Sequence, residues 1–187
     1  MSETARTWKT ILSEKMADCR IFEVRRDVCV DAETEDHEAT FYCIESPDWC
    51  NVIPLTANGE VVLIEQFRHG IQKTTLEIPG GIVDEGEDAK AAATRELLEE
   101  TGYTPREVIS LGMAHPNPAI QNNKVHFFLA KGCEKTQEPN FDATEHAVTK
   151  LVALNEIKNL IESEQITHSL VLDSFLRFFL KENELAK

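Results

Sequence analysis

The sequence has little positive charge. Its 19 Lys and Arg residues stand against 33 Asp and Glu residues, which gives a net charge of −14 over 187 residues. A protein that binds nucleic acid broadly needs a basic face to neutralise phosphates, so this balance argues against a nucleic-acid partner. If the ligand of this chain carries phosphate, a metal ion must supply part of the positive charge.

Paired cysteine motifs and long apolar runs are also missing. The five cysteines form no CxxC pair, and their odd number leaves one over in any complete disulfide scheme. This usage indicates reduced thiols and no structural zinc. Residues 1–20 are polar and mixed, and no apolar run approaches the length of a membrane span. We therefore expect a cytoplasmic protein without a membrane partner.

Apolar residues are plentiful enough for a normal core, since they make up 42% of the chain. Short runs rich in β-branched and aromatic residues, which are typical of strands, are mixed with helical patterns. This order predicts an α/β or α+β sandwich with a mixed sheet held between helices. A turn at Pro47 separates an N-terminal strand unit, 1–46, from a main domain, 47–187.

Turn residues and spacing predict the individual elements. The strands "IFEVRRDVCVD" and "ATFYCIES" flank an acidic turn, and Asn58-Gly59 is a typical two-residue hairpin turn. "TLEIPGG" predicts a short strand that is stopped by the proline and the glycines. Two helices are predicted near the end of the chain, around 156–162 and 168–182. The second has Val and Phe at helical spacing, which predicts a core-facing stripe.

The helical stretch "AKAAATRELLEETG" gathers Glu96, Glu99 and Glu100 just before Gly102, a typical helix-ending residue. Carboxylates at this end face the negative pole of the helix dipole, at a cost of about 0.3–1 kcal/mol per exposed charge. Their spacing lets all three converge on one point. A solvated acidic face is the alternative, but clustered carboxylates raise one another's pKa unless a cation neutralises them.

Oxygen ligands of this kind suit Mg²⁺, with Mn²⁺ as a second possibility. Gly80 and Gly81 lie just before the helix, and a backbone without side chains can approach a metal ion or a phosphate closely. The sequence therefore predicts a metal-binding site where these glycines meet the glutamates.

The same residues resemble the Nudix box, Gx₅Ex₇REUxEExGU, where U is apolar. The matching positions are Gly81, Glu87, Arg95, Glu96, Leu97, Glu99, Glu100, Gly102 and Tyr103. The resemblance implies a Nudix-like α/β/α sandwich and a hydrolase that cleaves a nucleoside diphosphate linked to another moiety. It also implies that water attacks one phosphorus of the diphosphate with the help of divalent ions.

Roles for single residues also follow from the resemblance. Glu96 and Glu100 are implied as the main metal ligands, with Glu99 as a further ligand or catalytic neighbour and the Gly80 carbonyl as another ligand. Glu87 and Arg95 are implied to form an ion pair that supports the site, as Gly81 and Gly102 do. In the acidic loop "FDATEHA", Glu145 is the candidate general base and Asp142 the second choice, unless the loop is an ordinary surface turn.

The stretch "LIEQFRHGIQKTTLEIPGG" resembles the branch of the family that cleaves ADP-ribose and nucleoside diphosphate sugars. Arg68 is then the cation for a substrate phosphate, because a guanidinium can hold a phosphate by two parallel hydrogen bonds. A strand-end salt bridge is its alternative role. Pro118 occupies a position where this branch commonly carries proline, and His115 and Asn117 are placed in the loop over the sugar.

In this branch the N-terminal strands usually pack against a partner subunit, so the resemblance implies a homodimer with 1–46 at or near its interface. A hydrolase of dinucleoside polyphosphates or capped RNA is the enzymatic alternative. A non-catalytic nucleotide sensor with the same fold is the alternative from another class, because a fold alone does not establish activity.

Overall fold

The computed structural model describes residues 5–141 and 146–185. It divides into two compact units, one of Met1–Pro47 with His115–Asn123 and one of Asp48–Ala114 with Lys124–Lys187. The first division falls next to the boundary drawn from the sequence. The grouping of the loop His115–Asn123 with the first unit was not predicted.

The first unit contains an antiparallel sheet of β1 (Trp8–Asp18), β2 (Glu23–Asp31) and β3 (Glu38–Glu45), in that order. The predicted hairpin with an acidic turn is confirmed as β2–β3. The sequence did not reveal β1, because its pairing with β2 shifts register at two points. Such bulges break the alternation of inward and outward side chains that marks a strand, and apolar residues of β1 such as Ile11 and Met16 are exposed.

The second unit is built on an eight-stranded mixed sheet in which β4 and β10 run parallel. Its main order is β11-β5-β4-β10-β8, with β6 on β5, β7 on β4 and β9 on β10. The predicted Asn58-Gly59 hairpin is confirmed between β4 and β5. The strands are β4 (Trp49–Thr56), β5 (Glu60–Arg68), β6 (Lys73–Glu77), β7 (Gly80–Ile82), β8 (Tyr103–Thr104), β9 (Glu107–Ala114), β10 (Val125–Lys135) and β11 (Ala147–Ala153).

Helices cover both faces of this sheet, which confirms the predicted α/β/α sandwich. They are α1 (Ala89–Thr101), α2 (Ile157–Glu162) and α3 (Ser169–Leu185). On one face, Val171, Phe175 and Phe178 of α3 are buried in the larger core, so the predicted stripe does face inward. Among the described residues, no helix combines the length and apolar character needed to cross a bilayer.

The other face of the sheet carries α1, which packs through the buried Ala92, Ala93 and Leu97. Asp88 caps its start by accepting hydrogen bonds from the backbone N–H groups of Lys90 and Ala91, both at 3.1 Å.

Gly102 ends α1 in the left-handed conformation, with φ of 76°, as its position predicted. Its carbonyl accepts hydrogen bonds from the N–H groups of Thr136 and Gln137, and the Glu99 carbonyl accepts one from Asn140 N–H. The last turn of α1 is therefore fastened to the segment that follows β10.

Candidate active site

The predicted short strand β6 ends at Glu77, before Pro79 and the glycines, as expected. The sequence did not predict that Gly80 and Gly81 then open a new strand, β7. They pair with Asn51 and Cys50 of β4. A Cβ atom at Gly80 would lie 3.0 Å from Asn51 Cα and closer still to the Cys50 carbonyl oxygen, while one at Gly81 would meet the carboxylate of Glu96. Only glycine allows such close approach of two strands and a carboxylate.

The three glutamates near the end of α1 differ in exposure. Glu100 is 5% exposed and accepts a hydrogen bond from the backbone N–H of Gly80, with 2.9 Å between nitrogen and oxygen. The Glu96 side chain is 14% exposed and lies against Gly81. The Glu99 side chain is 43% exposed. The i, i+4 spacing thus brings Glu96 and Glu100 to the backbone of β7, and leaves Glu99 at the rim.

Arg95 joins these glutamates to the loop before the helix. Its Nε and Nη2 donate to the two carboxylate oxygens of Glu87, at 3.1 and 3.0 Å, and Nη2 also donates to the carbonyl of Ile82 at 3.1 Å. Nη1 donates to Glu96 at 2.8 Å and to Glu99 at 3.2 Å. The bonds from Arg95 lower the pKa of Glu87, and those from Glu87 and Glu96 raise the pKa of Arg95 against the effect of burial. Arg95 therefore acts as an ionic brace between loop and helix.

The chemistry of the donors fits a divalent cation, because Glu96, Glu99 and Glu100 supply carboxylate oxygens and Arg95 offsets only part of their charge. Among the described residues, no three His, Cys, Asp or Glu side chains are already grouped closely enough to hold an ion. The hydrogen bonds explain this spacing, since Glu100 is turned to the Gly80 N–H while Arg95 contacts the other two. An ion held by all three carboxylates has to replace some of these bonds.

Arg68, at the end of β5, forms the salt bridge that was one of its two expected roles. Its Nε donates to Glu77 Oε1 at 2.8 Å and its Nη2 to Glu77 Oε2 at 2.6 Å. Contact with a substrate phosphate stays a prediction. Glu77 was not predicted as a site residue, although an acid between two apolar residues, Leu76 and Ile78, is a signal for a buried charge.

The other predicted substrate residues lie in the first unit. His115 Nδ1 is 3.3 Å from the carbonyl oxygen of Asn123, and the Asn117 carbonyl accepts hydrogen bonds from the N–H groups of Ile120 and Gln121. Pro118 directly follows Asn117 in the same loop. Their predicted contact with a sugar is not tested by these bonds. Asp142 and Glu145, the candidates for the general base, lie outside the described residues.

The α/β/α sandwich places carboxylates of α1 beside the glycine backbone of β7. The model of the NUDIX domain family matches residues 49–174, which is more than half of the chain. The chain therefore belongs to the Nudix family, whose hydrolases in general use divalent metal ions.

Individual relatives extend over most of the chain. An ADP-ribose pyrophosphatase of Bacillus subtilis is 28% identical over 160 residues, which are 84% of this chain and 85% of the relative. A methanol dehydrogenase activator of Bacillus methanolicus is 29% identical over 163 residues, 86% of each chain. A crystal structure of an ADP compounds hydrolase shares the fold, with a TM-score of 0.84, 98% of each chain covered and 18% identity.

Proposed function

We propose that this protein hydrolyses the diphosphate bond of ADP-ribose or of a nucleoside diphosphate sugar, with Mg²⁺ or Mn²⁺, to give a nucleoside monophosphate and a sugar phosphate. The observation that carries the proposal is the approach of Glu96 and Glu100 to the glycine backbone of β7 within a Nudix domain. The name of the Bacillus subtilis relative, ADP-ribose pyrophosphatase, supports the choice of substrate.

Glu96, Glu99, Glu100 and the carbonyl of Gly80 would hold the metal ion. When bound, it neutralises charge on the phosphate oxygens and favours attack by water. Arg95 holds the α1 carboxylates and the preceding loop in place through its bonds to Glu87, Glu96 and Glu99. This brace keeps the loop and the carboxylate end of α1 together, and an ion held by all three carboxylates would replace some of its bonds to Glu96 and Glu99.

In the proposed reaction, the oxygen of a water molecule attacks one phosphorus of the diphosphate. The bond from that phosphorus to the bridging oxygen breaks, and the bridging oxygen leaves with the other phosphate. A general base accepts the proton of the water. Glu145 is our candidate for this base and Asp142 the second, both on the sequence pattern alone.

On the substrate side, we assign Arg68 to a phosphate and the loop with His115, Asn117 and Pro118 to the sugar. The Arg68 assignment is supported by its side chain, which is 41% exposed although it is held at a fixed place by Glu77. Exposure of this kind leaves a guanidinium accessible to a ligand while its conformational freedom is already reduced.

The N-terminal unit is proposed to form a homodimer interface. Several large apolar side chains of its strands are exposed, including Ile11, Leu12 and Met16 of β1 and Tyr42 of β3. Burial of such a surface against a second copy would stabilise a dimer. A light-scattering mass of one chain in an active preparation would contradict this assignment. The five cysteines, all of them within the described residues, are free thiols, in keeping with a cytoplasmic protein.

The test of the proposed function is a release assay with ADP-ribose, GDP-mannose, UDP-glucose, NADH and diadenosine polyphosphates, with and without Mg²⁺. We expect metal-dependent release of a nucleoside monophosphate and a sugar phosphate from at least one of the first three. Turnover of the diadenosine polyphosphates alone would favour the alternative hydrolase. Tight binding of ADP-ribose without any turnover would favour the nucleotide sensor.

A further inference from the structure

Glu77 is the most deeply buried acid in the described part of the second unit, with an exposure of 1%. Both of its carboxylate oxygens accept hydrogen bonds from Arg68, and Oε1 also accepts one from the hydroxyl of Thr75 at 2.5 Å. His168 Nδ1 lies 3.9 Å from Oε2, too far for a hydrogen bond. Burying a charge is costly unless it is paired, so Glu77 needs Arg68.

The strand register shows how far Arg68 has to reach for this pair. In the β5–β6 pairing, Arg68 stands opposite Lys73, while Glu77 stands opposite Ile64. The four steps from residue 73 to residue 77, at about 3.3 Å each, amount to roughly 13 Å along the sheet. Arg68 must therefore extend its side chain back along β5, toward the end of β6, and two hydrogen bonds hold its guanidinium at Glu77.

This extension places the guanidinium beside the chain segment that leads into β7. Glu77 is three residues before Gly80 in the chain, and the Gly80 N–H binds the carboxylate of Glu100. All of these residues belong to the same compact unit.

Burial alone would raise the pKa of Glu77, but the hydrogen bonds and the charge of Arg68, together with Thr75, outweigh burial and lower it. Glu77 is therefore ionised at neutral pH, and its negatively charged carboxylate holds the Arg68 guanidinium. A buried charged pair of this kind adds little to the free energy of folding. The cost of removing two ions from water is about as large as the energy of their attraction. The geometry of the pair, in contrast, fixes the orientation of a planar guanidinium through two parallel bonds.

We propose that Glu77 is a positioning residue, which holds Arg68 by Nε and Nη2 and so orients its guanidinium toward a phosphate of the substrate. This assignment rests on the proposed function of the site. Glu77 itself touches neither substrate nor metal and acts through Arg68. Thr75 supports the arrangement by fixing Oε1 of Glu77.

The test is a double-mutant cycle of Glu77→Gln, Arg68→Gln and the combined variant. Glu77→Gln should raise KM and lower kcat/KM for ADP-ribose by about 10- to 100-fold, the loss expected when a binding group is misplaced. The combined variant should be no less active than Arg68→Gln alone, because Glu77 acts only through Arg68. Losses that multiply in the combined variant, or an unchanged KM in Glu77→Gln, would overturn the proposal.

Stability measurements separate this role from a structural one. Arg68→Gln leaves a buried carboxylate without its cation, so the combined variant should melt at a higher temperature than Arg68→Gln while remaining equally inactive. If activity recovers together with stability, the role of Glu77 is structural and the proposal fails. Thr75→Val is a milder variant should Glu77→Gln not fold, and it should raise KM in the same direction. Glu134→Gln, in the exposed pair with Arg106, is the matched control and should change nothing.

The same cycle can be measured without turnover. Calorimetric titration with α,β-methylene ADP-ribose and Mg²⁺ should give a weaker Kd for Glu77→Gln and no further loss in the combined variant. Absence of hydrolysis by the unmodified protein, with this pattern of binding retained, would refute the proposed function alone. Equal affinity in all variants, or no binding to the unmodified protein, would refute the positioning role.

Discussion

Helices α1 and α3 cover opposite faces of one sheet in very different ways. α3 packs with large side chains, among them Phe175 and Phe178, which are buried in the larger core. α1 packs with Ala92, Ala93 and a single leucine, Leu97. Small side chains let a helix approach a sheet closely, so the glutamates at the end of α1 come near the backbone of β7. Helix α3 mainly contributes buried apolar surface, and α1 mainly positions the carboxylates of its glutamates.

The largest effect is expected from a substitution in α1, and it is a loss of catalytic activity. Glu100→Gln should lower kcat/KM about 10³-fold, because it removes a carboxylate charge from the metal site. The fold should persist, since the amide oxygen of glutamine can still accept the bond from Gly80 N–H. Steady-state assays with thermal unfolding would measure both. Asp173→Asn on α3, which disturbs only an ion pair with Arg177, is the control. Full activity of Glu100→Gln would remove Glu100 from the site.

The next largest effect is expected from a substitution in α3, and it is a loss of stability. Phe175→Ala should lower the free energy of unfolding by about 3–5 kcal/mol, because it deletes a fully buried ring and leaves a cavity. The fraction that remains folded should keep its KM. Leu180→Ala on the same helix, at a side chain that is 76% exposed, should cost almost nothing. Chemical denaturation measures both values. An equal loss in the two variants would show that the Phe175 position is not a packed core site.

A smaller effect is expected where α1 meets β7. A Cβ atom at Gly81 would lie 2.8 Å from Glu96 Oε2, so Gly81→Ala must push that carboxylate aside. We expect about tenfold lower activity and a higher Mg²⁺ concentration for half-maximal rate, as for other changes that displace a metal ligand. Metal titration of the rate tests this. An unaltered Mg²⁺ requirement would mean that Glu96 adapts without loss.

The smallest effect concerns pH and the residue that precedes α3. Burial lowers the pKa of His168, with a further contribution from the charge of Arg68, against the opposing effect of Glu77. As the pH falls through 6.5, the ordinary pKa of histidine, the His168 imidazole is therefore protonated in the unfolded chain before it is protonated in the folded protein. The stability that His168 contributes is complete above that pH and is lost as the pH falls toward its folded-state pKa. Denaturation between pH 8 and pH 5, about the range in which histidine titrates, should show a shallower decline in His168→Gln. Parallel curves would contradict this reading.

Much of the α1 region could be predicted because its signals are local. Helical spacing, the cap at Gly102 and the grouping of Glu96, Glu99 and Glu100 all lie within a few turns of one helix. The stripe on α3 was visible for the same reason. The general base and the contacts of the sugar loop stay predictions.

Features that depend on distant pairing could not be read in this way. β7 forms only because Gly80 and Gly81 meet β4 residues some thirty positions earlier, and a pair of glycines suggests a stop when it is read alone. Glu77 was overlooked because its partner Arg68 is reached only by folding β5 against β6. Strand β1 was hidden by its bulges.

The fastening of the last turn of α1 has a consequence for motion. Helix ends normally fray, since their final carbonyl groups lack partners within the helix. Here the carbonyls of Glu99 and Gly102 are taken up by the N–H groups of Asn140, Thr136 and Gln137. The turn that carries Glu99 and Glu100 should therefore open as rarely as the middle of the helix. In hydrogen exchange, its amides should be among the slowest rather than the fastest.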